Sequence, residues 1–430
     1  MAMWSVFMLE FWKRKEKDFA IRWGTLDFEE TEQDRSEFKG QTIKSFVQDG
    51  QMAYYPSATR CVNISQSTVV VVALIAVVIG AVAGIYLMRK SLDHELGSAA
   101  QSITSVVNVV QIQIMNFTYN FLVTVLTDRE NHRTETDYED SMITKLFVFQ
   151  FVNSYASFFY LAFFAQYFDS ECGDDGCMSV LAVNLAIVYG SRLITGNITE
   201  LLLPYVSYVY RYNSEVQTSS AEMSRPEKEF YLDTYDSRKS SLVDYAEVAI
   251  QFGYNALFAT ALPIASFFSL VSNFVEIKGD AWKLVNIFQR PVPITAEDIG
   301  SWQSIFLLLT VASVITNAAL IVFTMSDLDG YSDRFRYWIF IGFQWVCFST
   351  QFFIMAAIPD IPESIEYHKQ RSTYLNSKII DQVADDIIDN SVVAEKFVPI
   401  STYPTGAADV NTYFRDSQGG STGKSPLHDA

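Results

Sequence analysis

Four stretches of this chain, 68–88, 146–168, 303–325 and 337–359, are long and apolar enough to meet the roughly 18-residue mark of a membrane span. In hydrocarbon each backbone N–H and C=O must be satisfied within the protein, so such runs fold as helices. Repeated in one chain, they imply an all-α, polytopic membrane helix bundle. Weaker apolar periodicity extends the set to about 1–12 (partial), 66–88, 101–127, 145–168, 179–208, 241–262, 264–287, 300–325 and 335–358. That is about eight full helices plus the end of another, in a membrane region 1–378. The segment 379–430 is rich in Asp, Ser, Gly and Thr, lacks a sustained apolar period, and reads as a disordered cytoplasmic tail.

Lys and Arg decide the orientation. Lys13, Arg14, Lys15, Lys17, Arg129, Arg133, Arg211, Lys228, Arg238, Lys369 and Arg371 fall on one side; the opposite loops hold Arg89, Lys90, Arg334 and Arg336. The long loops and the tail are therefore expected in the cytoplasm of a multi-pass protein of the plasma membrane or an intracellular membrane. Cys172 and Cys177 lie in an outward loop and can pair if it faces an oxidising compartment. Cys61 and Cys347 read as unpaired. A net charge of −18 argues against nucleic acid as a partner, since no large basic patch offsets it.

Ionisable groups inside membrane helices cost roughly 2.5–3.5 kcal/mol each on insertion scales and usually mark function. Glu200 sits near the cytoplasmic end of its helix, Asp244 and Glu247 near the start of the next, Glu276 and Asp280 near the end of the following one. Alternating topology brings all of them to one leaflet, and i,i+3 and i,i+4 spacing puts each pair on one face. Without His or Cys nearby, the donors are hard oxygens that select Ca²⁺ or Mg²⁺ over zinc, and ligands from separate helices favour Ca²⁺. The five charges suffice for two divalent ions. The plainer reading is interfacial solvation, or pairing with Lys278, Lys283 or Arg192.

Polar residues also run through the bilayer. Gln101, Thr104, Ser105, Asn108 and Gln111 project within an arc of ~120° at helical spacing, and Asn116 and Asn120 continue it. Gln150, Asn153, Ser154 and Ser157 share an arc on the next helix, and Asn184, Ser191, Arg192, Thr195 and Asn197 follow on the third. The track predicts a hydrophilic groove; interhelical hydrogen bonding is the competing explanation. Gly190 and Gly196 interrupt the third helix and serve as candidate hinges.

These residues resemble the anoctamin family of Ca²⁺-activated channels and lipid scramblases. The resemblance runs from residue 1 to about 380 and rests on MAMWSVFMLEFWKRK, ENHRTETDYEDS, FQFVNSYASFFYLAFF, VYGSRLITGNITELLLP, DYAEVAIQFGYNALFATALPIASFFSLVSNFVEIKGDAWKL, RPVPITAEDIGSWQ and IPDIPESI. It implies that Glu200, Asp244, Glu247, Glu276 and Asp280 bind two Ca²⁺ ions per subunit, and that Gly190 is a hinge. Gly196 stands where the family usually has an Asn ligand. A second metal site would map to Glu10 and Asp360, with Ser364 where another acid is expected. The resemblance further implies a homodimer with a groove in each subunit. It also implies an N-terminal domain, a first helix and most of a second that this chain would lack.

Two activities fit that resemblance. Uncharged polar side chains, with Gln150 where the family's chloride channels have Lys, favour passage of phospholipid headgroups accompanied by an ion leak. Arg192 pulls toward a channel for chloride or other small ions. A membrane tether or regulatory subunit without transport is the alternative from another class. Nothing in the spacing of the Ser and His residues supports an enzyme.

Overall fold

The computed structural model describes residues 1–380 and 382, apart from 45–49, 97, 169–175, 199–201, 217–223, 231, 326–327 and 329. It divides into a unit Met1–Ile365 and a unit Glu366–Ala430. Of the second, only the helical residues up to 380 and residue 382 are described, so most of the expected tail lies outside the described residues.

Helix α1 (Ala2–Trp23) stops at Gly24, whose left-handed φ of 70° suits a C-terminal cap. A short antiparallel pair, β1 (Gln41–Lys44) and β2 (Gln51–Tyr54), follows. Then come α2 (Ser57–Leu96) and α3 (Ser98–Glu130). Helix α4 (Glu135–Phe159) starts where Thr134 accepts the Asp137 N–H, with Glu135 and Asp137 in the first turn complementing the helix dipole. It runs through a π turn, Tyr160–Phe164, into α5 (Ala165–Phe168). Next are α6 (Gly176–Asn197), α7 (Leu203–Val216) and α8 (Arg225–Phe230). The remaining helices are α9 (Ser237–Leu257), α10 (Ala265–Asn286), α11 (Trp302–Ala319), α12 (Asp333–Ala357) and α13 (Glu363–Ile379).

The chain is thus an all-α polytopic bundle, and six described helices are long and apolar enough to cross a membrane: Ser57–Leu92, Ala100–Glu130, Glu135–Tyr167, Cys177–Gly196, Trp302–Thr324 and Asp333–Ala357. Helices α9 and α10, which carry Asp244, Glu247, Glu276 and Asp280, are not among these six. The stretch read as one helix over 179–208 is described as α6 and α7, with 199–201 between them outside the described residues. Cys177 is disulfide-bonded, Cys61 and Cys347 are free, and Cys172 is not among the described residues.

Helix α4 packs against α2, α3, α6 and α9, and α9 in turn against α11. The α4–α9 seam is aromatic, with Tyr155, Phe158, Tyr254 and Phe258 all buried. Tyrosine hydroxyls at this depth need acceptors. Tyr155 donates to the Ile250 carbonyl at 2.7 Å and Tyr254 to the Ser154 carbonyl at 3.3 Å, so each helix caps a tyrosine of the other. Close approach depends on Gly253, where a Cβ would fall 1.9 Å from the Tyr155 hydroxyl. A second π turn, Leu320–Thr324, ends the α11 span, and Thr324 donates to the Ala162 carbonyl of the first at 2.8 Å. Carbonyls released by the wider turn are met by a neighbouring helix.

Candidate metal site and polar groove

Helix α9 begins where the Asp236 carboxylate accepts the Arg238 and Lys239 N–H groups. That start sets Asp244 and Glu247 one turn apart on a half-buried face. Glu276 and Asp280 are likewise one turn apart on α10, at i,i+4 where Asp244 and Glu247 are at i,i+3. Across the two helices Asp244 and Glu276 each lie within electrostatic reach of the other three carboxylates. The fifth, Glu200, lies outside the described residues. Among the described residues, no three acidic, His or Cys side chains converge closely enough to cage an ion as they stand.

The donor chemistry nonetheless suits a hard cation: only carboxylate oxygens come from these four positions, and the protein's own cations are drawn to them. Lys283 Nζ is 2.7 Å from Asp280 Oδ1, and Arg192 Nη2 is 3.8 Å from Glu247 Oε1. Arg192 comes from α6, so this contact ties a third helix to the cluster. Its guanidinium lies 5.7 Å above the Tyr254 ring, and its Nη1 is buried without a hydrogen-bond partner among the described residues.

The polar track divides into two populations. Asn153 is fully buried; it accepts from Gln111 Nε2 at 2.9 Å and donates to the Ile112 carbonyl at 3.0 Å and Asn116 Oδ1 at 2.8 Å. Ser157 pairs with the Tyr86 hydroxyl at 2.8 Å, and Ser105 donates to Asn184. These side chains hold α2, α3, α4 and α6 together, as interhelical hydrogen bonds do in membranes. Asn108 is buried, with its Oδ1 unpartnered among the described residues.

The second population lines a cavity of about 300 Å³ between α3, α4, α6 and α9, to which Asn116, Asn120, Gln150, Ser154, Arg192 and Glu247 contribute. Of the polar residues expected to border a groove, Asn116, Asn120, Gln150, Ser154, Ser191, Arg192 and Thr195 line it; Asn108, Gln111, Asn153 and Ser157 do not. Glu247 belongs to both the cavity wall and the carboxylate cluster, so groove and cluster meet at one side chain. The tyrosine shelf beneath Arg192 escaped the sequence reading, because buried aromatics are the commonest filling of any core.

Neither candidate hinge is demanded by packing. A Cβ at Gly190 would meet nothing within 4 Å, and one at Gly196 only Glu247 Oε1 at 3.6 Å, among the described residues. What glycine supplies there is backbone freedom.

Glu10 and Asp360, the second expected site, do come together, with a lysine between them. Lys13 Nζ lies 2.9 Å from Glu10 Oε1 and 3.3 Å from Asp360 Oδ1. Glu10 is buried and its Oε2 has no hydrogen-bond partner among the described residues. Lys13 was absent from the candidate residues, although its i+3 spacing from Glu10 is plain in the sequence.

A third acidic cluster lines a cavity of about 420 Å³ built by residues 28–32, the start of α4 and the loop 294–300. Glu297 accepts the Glu29 N–H at 3.3 Å, and Asp140 accepts the Ser301 N–H at 2.8 Å. Burial, then the charges of Asp298, Glu297, Asp140 and Glu32, raise the Glu29 carboxyl to about 7.

Residues 1–372 match the family described as "Anoctamin: Calcium-activated chloride channel". Human Anoctamin-7 is 31% identical over 460 residues, covering 87% of this chain and 49% of the relative. Mouse Anoctamin-5 is 31% identical, with 76% and 40% covered. Human Anoctamin-10 is 30% identical, with 88% and 58% covered. The chain spans about half the length of the curated relatives it matches.

Proposed function

The chain belongs to the anoctamin family, and from that premise we propose that it is the membrane-embedded part of a Ca²⁺-activated phospholipid scramblase that leaks ions through the same groove. The observation that carries this reading is the shared wall: a polar cavity on α3, α4 and α6, lined by uncharged amides and hydroxyls together with Arg192, reaches Glu247 of the carboxylate cluster. Amide and hydroxyl groups such as those of Asn116, Asn120, Gln150 and Ser154 can replace water around a zwitterionic headgroup while the lipid tails remain in hydrocarbon.

Asp244, Glu247, Glu276 and Asp280, joined by Glu200, would hold two Ca²⁺ ions per subunit. Bound Ca²⁺ would supply the positive charge that lets so many carboxylates share one place. The chain's own contribution is the hinge. Gly190 and Gly196 give helix α6 backbone freedom, by which the segment that carries Glu200 would turn toward α9 and α10 and alter the width of the groove. Glu10 and Asp360 form a weaker second site whose charge Lys13 already offsets. The whole protein is proposed to be a homodimer with its long loops in the cytoplasm. The exposed apolar face of α12, with Trp338, Trp345, Phe352 and Phe353, suits lipid or a second copy.

The second reading, an anion channel, rests on Arg192, the basic side chain in the cavity wall. Fluorescent-lipid scrambling in proteoliposomes, with and without Ca²⁺, for the chain and Glu276→Gln decides between them. Ca²⁺-dependent scrambling that the substitution abolishes is the expected result. Chloride flux without lipid movement would replace scramblase by channel, and Ca²⁺ binding with neither flux would leave a tether.

A further inference from the structure

Arg192 is an expensive residue to keep in a membrane helix, and the way its charge is distributed is unusual. One terminal nitrogen, Nη2, lies 3.8 Å from Glu247 Oε1, too far for a good hydrogen bond but close enough for strong attraction where water is scarce. The other, Nη1, is buried with no partner among the described residues. A guanidinium carries five donors and cannot shed its proton. This one is held over the Tyr254 ring at 5.7 Å, while Tyr254 spends its hydroxyl on the Ser154 carbonyl. The group is therefore half committed to a carboxylate and half open to the cavity that Asn116, Asn120, Gln150 and Ser154 line.

We infer that Arg192 is a tethered rival of the divalent ion at Glu247 and, once released from that carboxylate, the residue that holds an oxyanion in the groove. The inference rests on the proposed metal site and deepens it. A cation at Glu247 and the guanidinium compete for the same negative charge, so each weakens the other's hold. A guanidinium deprived of Glu247 has its fork of donors free, and phosphate oxygens match that fork. Both a lipid phosphodiester and a free phosphate ion offer that chemistry. Divalent ion and oxyanion then favour each other's binding, and the coupling must be reciprocal. Lys283 screens the far side of the cluster through Asp280 but does not line the cavity, so it cannot substitute for Arg192 in this role.

The test is Ca²⁺ binding to the full chain, read by calorimetry and by thermal midpoint in a phosphate-free maltoside micelle. It is repeated with inorganic phosphate and with a short-chain phosphatidylcholine. In the unaltered chain Ca²⁺ should bind more tightly when the matching phosphate source is present, and the additive that acts identifies the source. R192Q should bind Ca²⁺ roughly tenfold more tightly without additive, because the rival charge has gone, and should ignore both phosphates. R192K, which keeps the charge but loses the fork, should stay near the unaltered affinity with a smaller phosphate effect. Equal Ca²⁺ affinity in R192Q and the unaltered chain would overturn the rivalry. A phosphate effect that is absent from the unaltered chain, or undiminished in R192Q, would overturn the oxyanion site. Failure of the metal site itself looks different: no Ca²⁺ binding in any variant, with Glu276→Gln indistinguishable from the rest.

Discussion

The two proposed metal sites solve the same problem in opposite proportions. On α9 and α10 four described carboxylates share two basic side chains, Arg192 and Lys283, and only one of these, Lys283, is within hydrogen-bond distance. Beside α1 two carboxylates share Lys13, which bonds to both. The first arrangement keeps an excess of negative charge among the described residues. The second is nearly balanced, the one shortfall being the buried Glu10 Oε2. A carboxylate cluster in a membrane protein is informative through the charge left over after its internal partners are counted, more than through the number of acids in it.

That difference sets an order of expected effects. Glu276→Gln removes charge from the site with the excess, and should weaken Ca²⁺ binding by on the order of a hundredfold, since affinity follows ligand charge count. Glu10→Gln acts where Lys13 already competes, and should shift the same titration by about threefold or less. Similar losses from both would break the distinction between the sites.

Lys13→Met probes the balanced site from the other side. Removing one partner of a buried pair costs roughly 3–5 kcal/mol, and because Lys13 is partly exposed about 2 kcal/mol is expected, measured as a lowered thermal midpoint. Added Ca²⁺ should then recover more of the midpoint in the variant than in the unaltered chain, as the competing ammonium is gone. An unchanged midpoint would mean that Lys13 is not what stabilises Glu10.

How much of this could be read in advance depends on the kind of signal. The membrane helices were legible because length and apolarity are local properties, and the pairing of Asp244 with Glu247 and of Glu276 with Asp280 on one face each because i,i+3 and i,i+4 spacing fixes a face. What a face meets is not local. Asn153 and Ser157 have the same periodicity as Gln150 and Ser154, yet the former pair is consumed by Gln111, Asn116 and Tyr86 while the latter pair borders the cavity. Periodicity orients a side chain relative to its own helix and leaves its partner unspecified. The same limit hid Lys13: its spacing from Glu10 was visible, whereas Asp360, 347 residues away, is brought to it only by the fold.

Gly196→Asn sharpens the comparison at the cluster. A Cβ there has ordinary clearance from Glu247, so the amide oxygen can be added without displacing that carboxylate. Ca²⁺ affinity should rise by roughly three- to tenfold, the gain of one neutral ligand. Slower closure at lower backbone freedom is the accompanying cost, visible as a slower onset of the Ca²⁺ response. A weaker affinity would show that position 196 faces away from the ion.

The smallest effect belongs to the third cluster, which settles its charge by a different route. Around Glu29 stand Asp298, Glu297, Asp140 and Glu32, and Lys17 reaches Glu297 only at 4.0 Å. Arg238 lines the same cavity but pairs with Glu135 and Glu139, and at Glu29 the repulsion is relieved by a proton, held up to about pH 7 against an ordinary value of 4.5. The folded chain therefore binds a proton that the unfolded chain releases at lower pH. Its contribution to stability is complete below about 4.5 and is lost as pH rises through about 7. Glu29 is exposed, so solvent screening keeps the contribution small. Glu29→Gln fixes the neutral form, and the thermal midpoint of the unaltered chain should fall relative to this variant between about pH 4.5 and 7. Parallel midpoints across that range would mean that the loop 294–300 and the segment 28–32 do not share a proton, and that the cluster is relieved instead by a cation from solution.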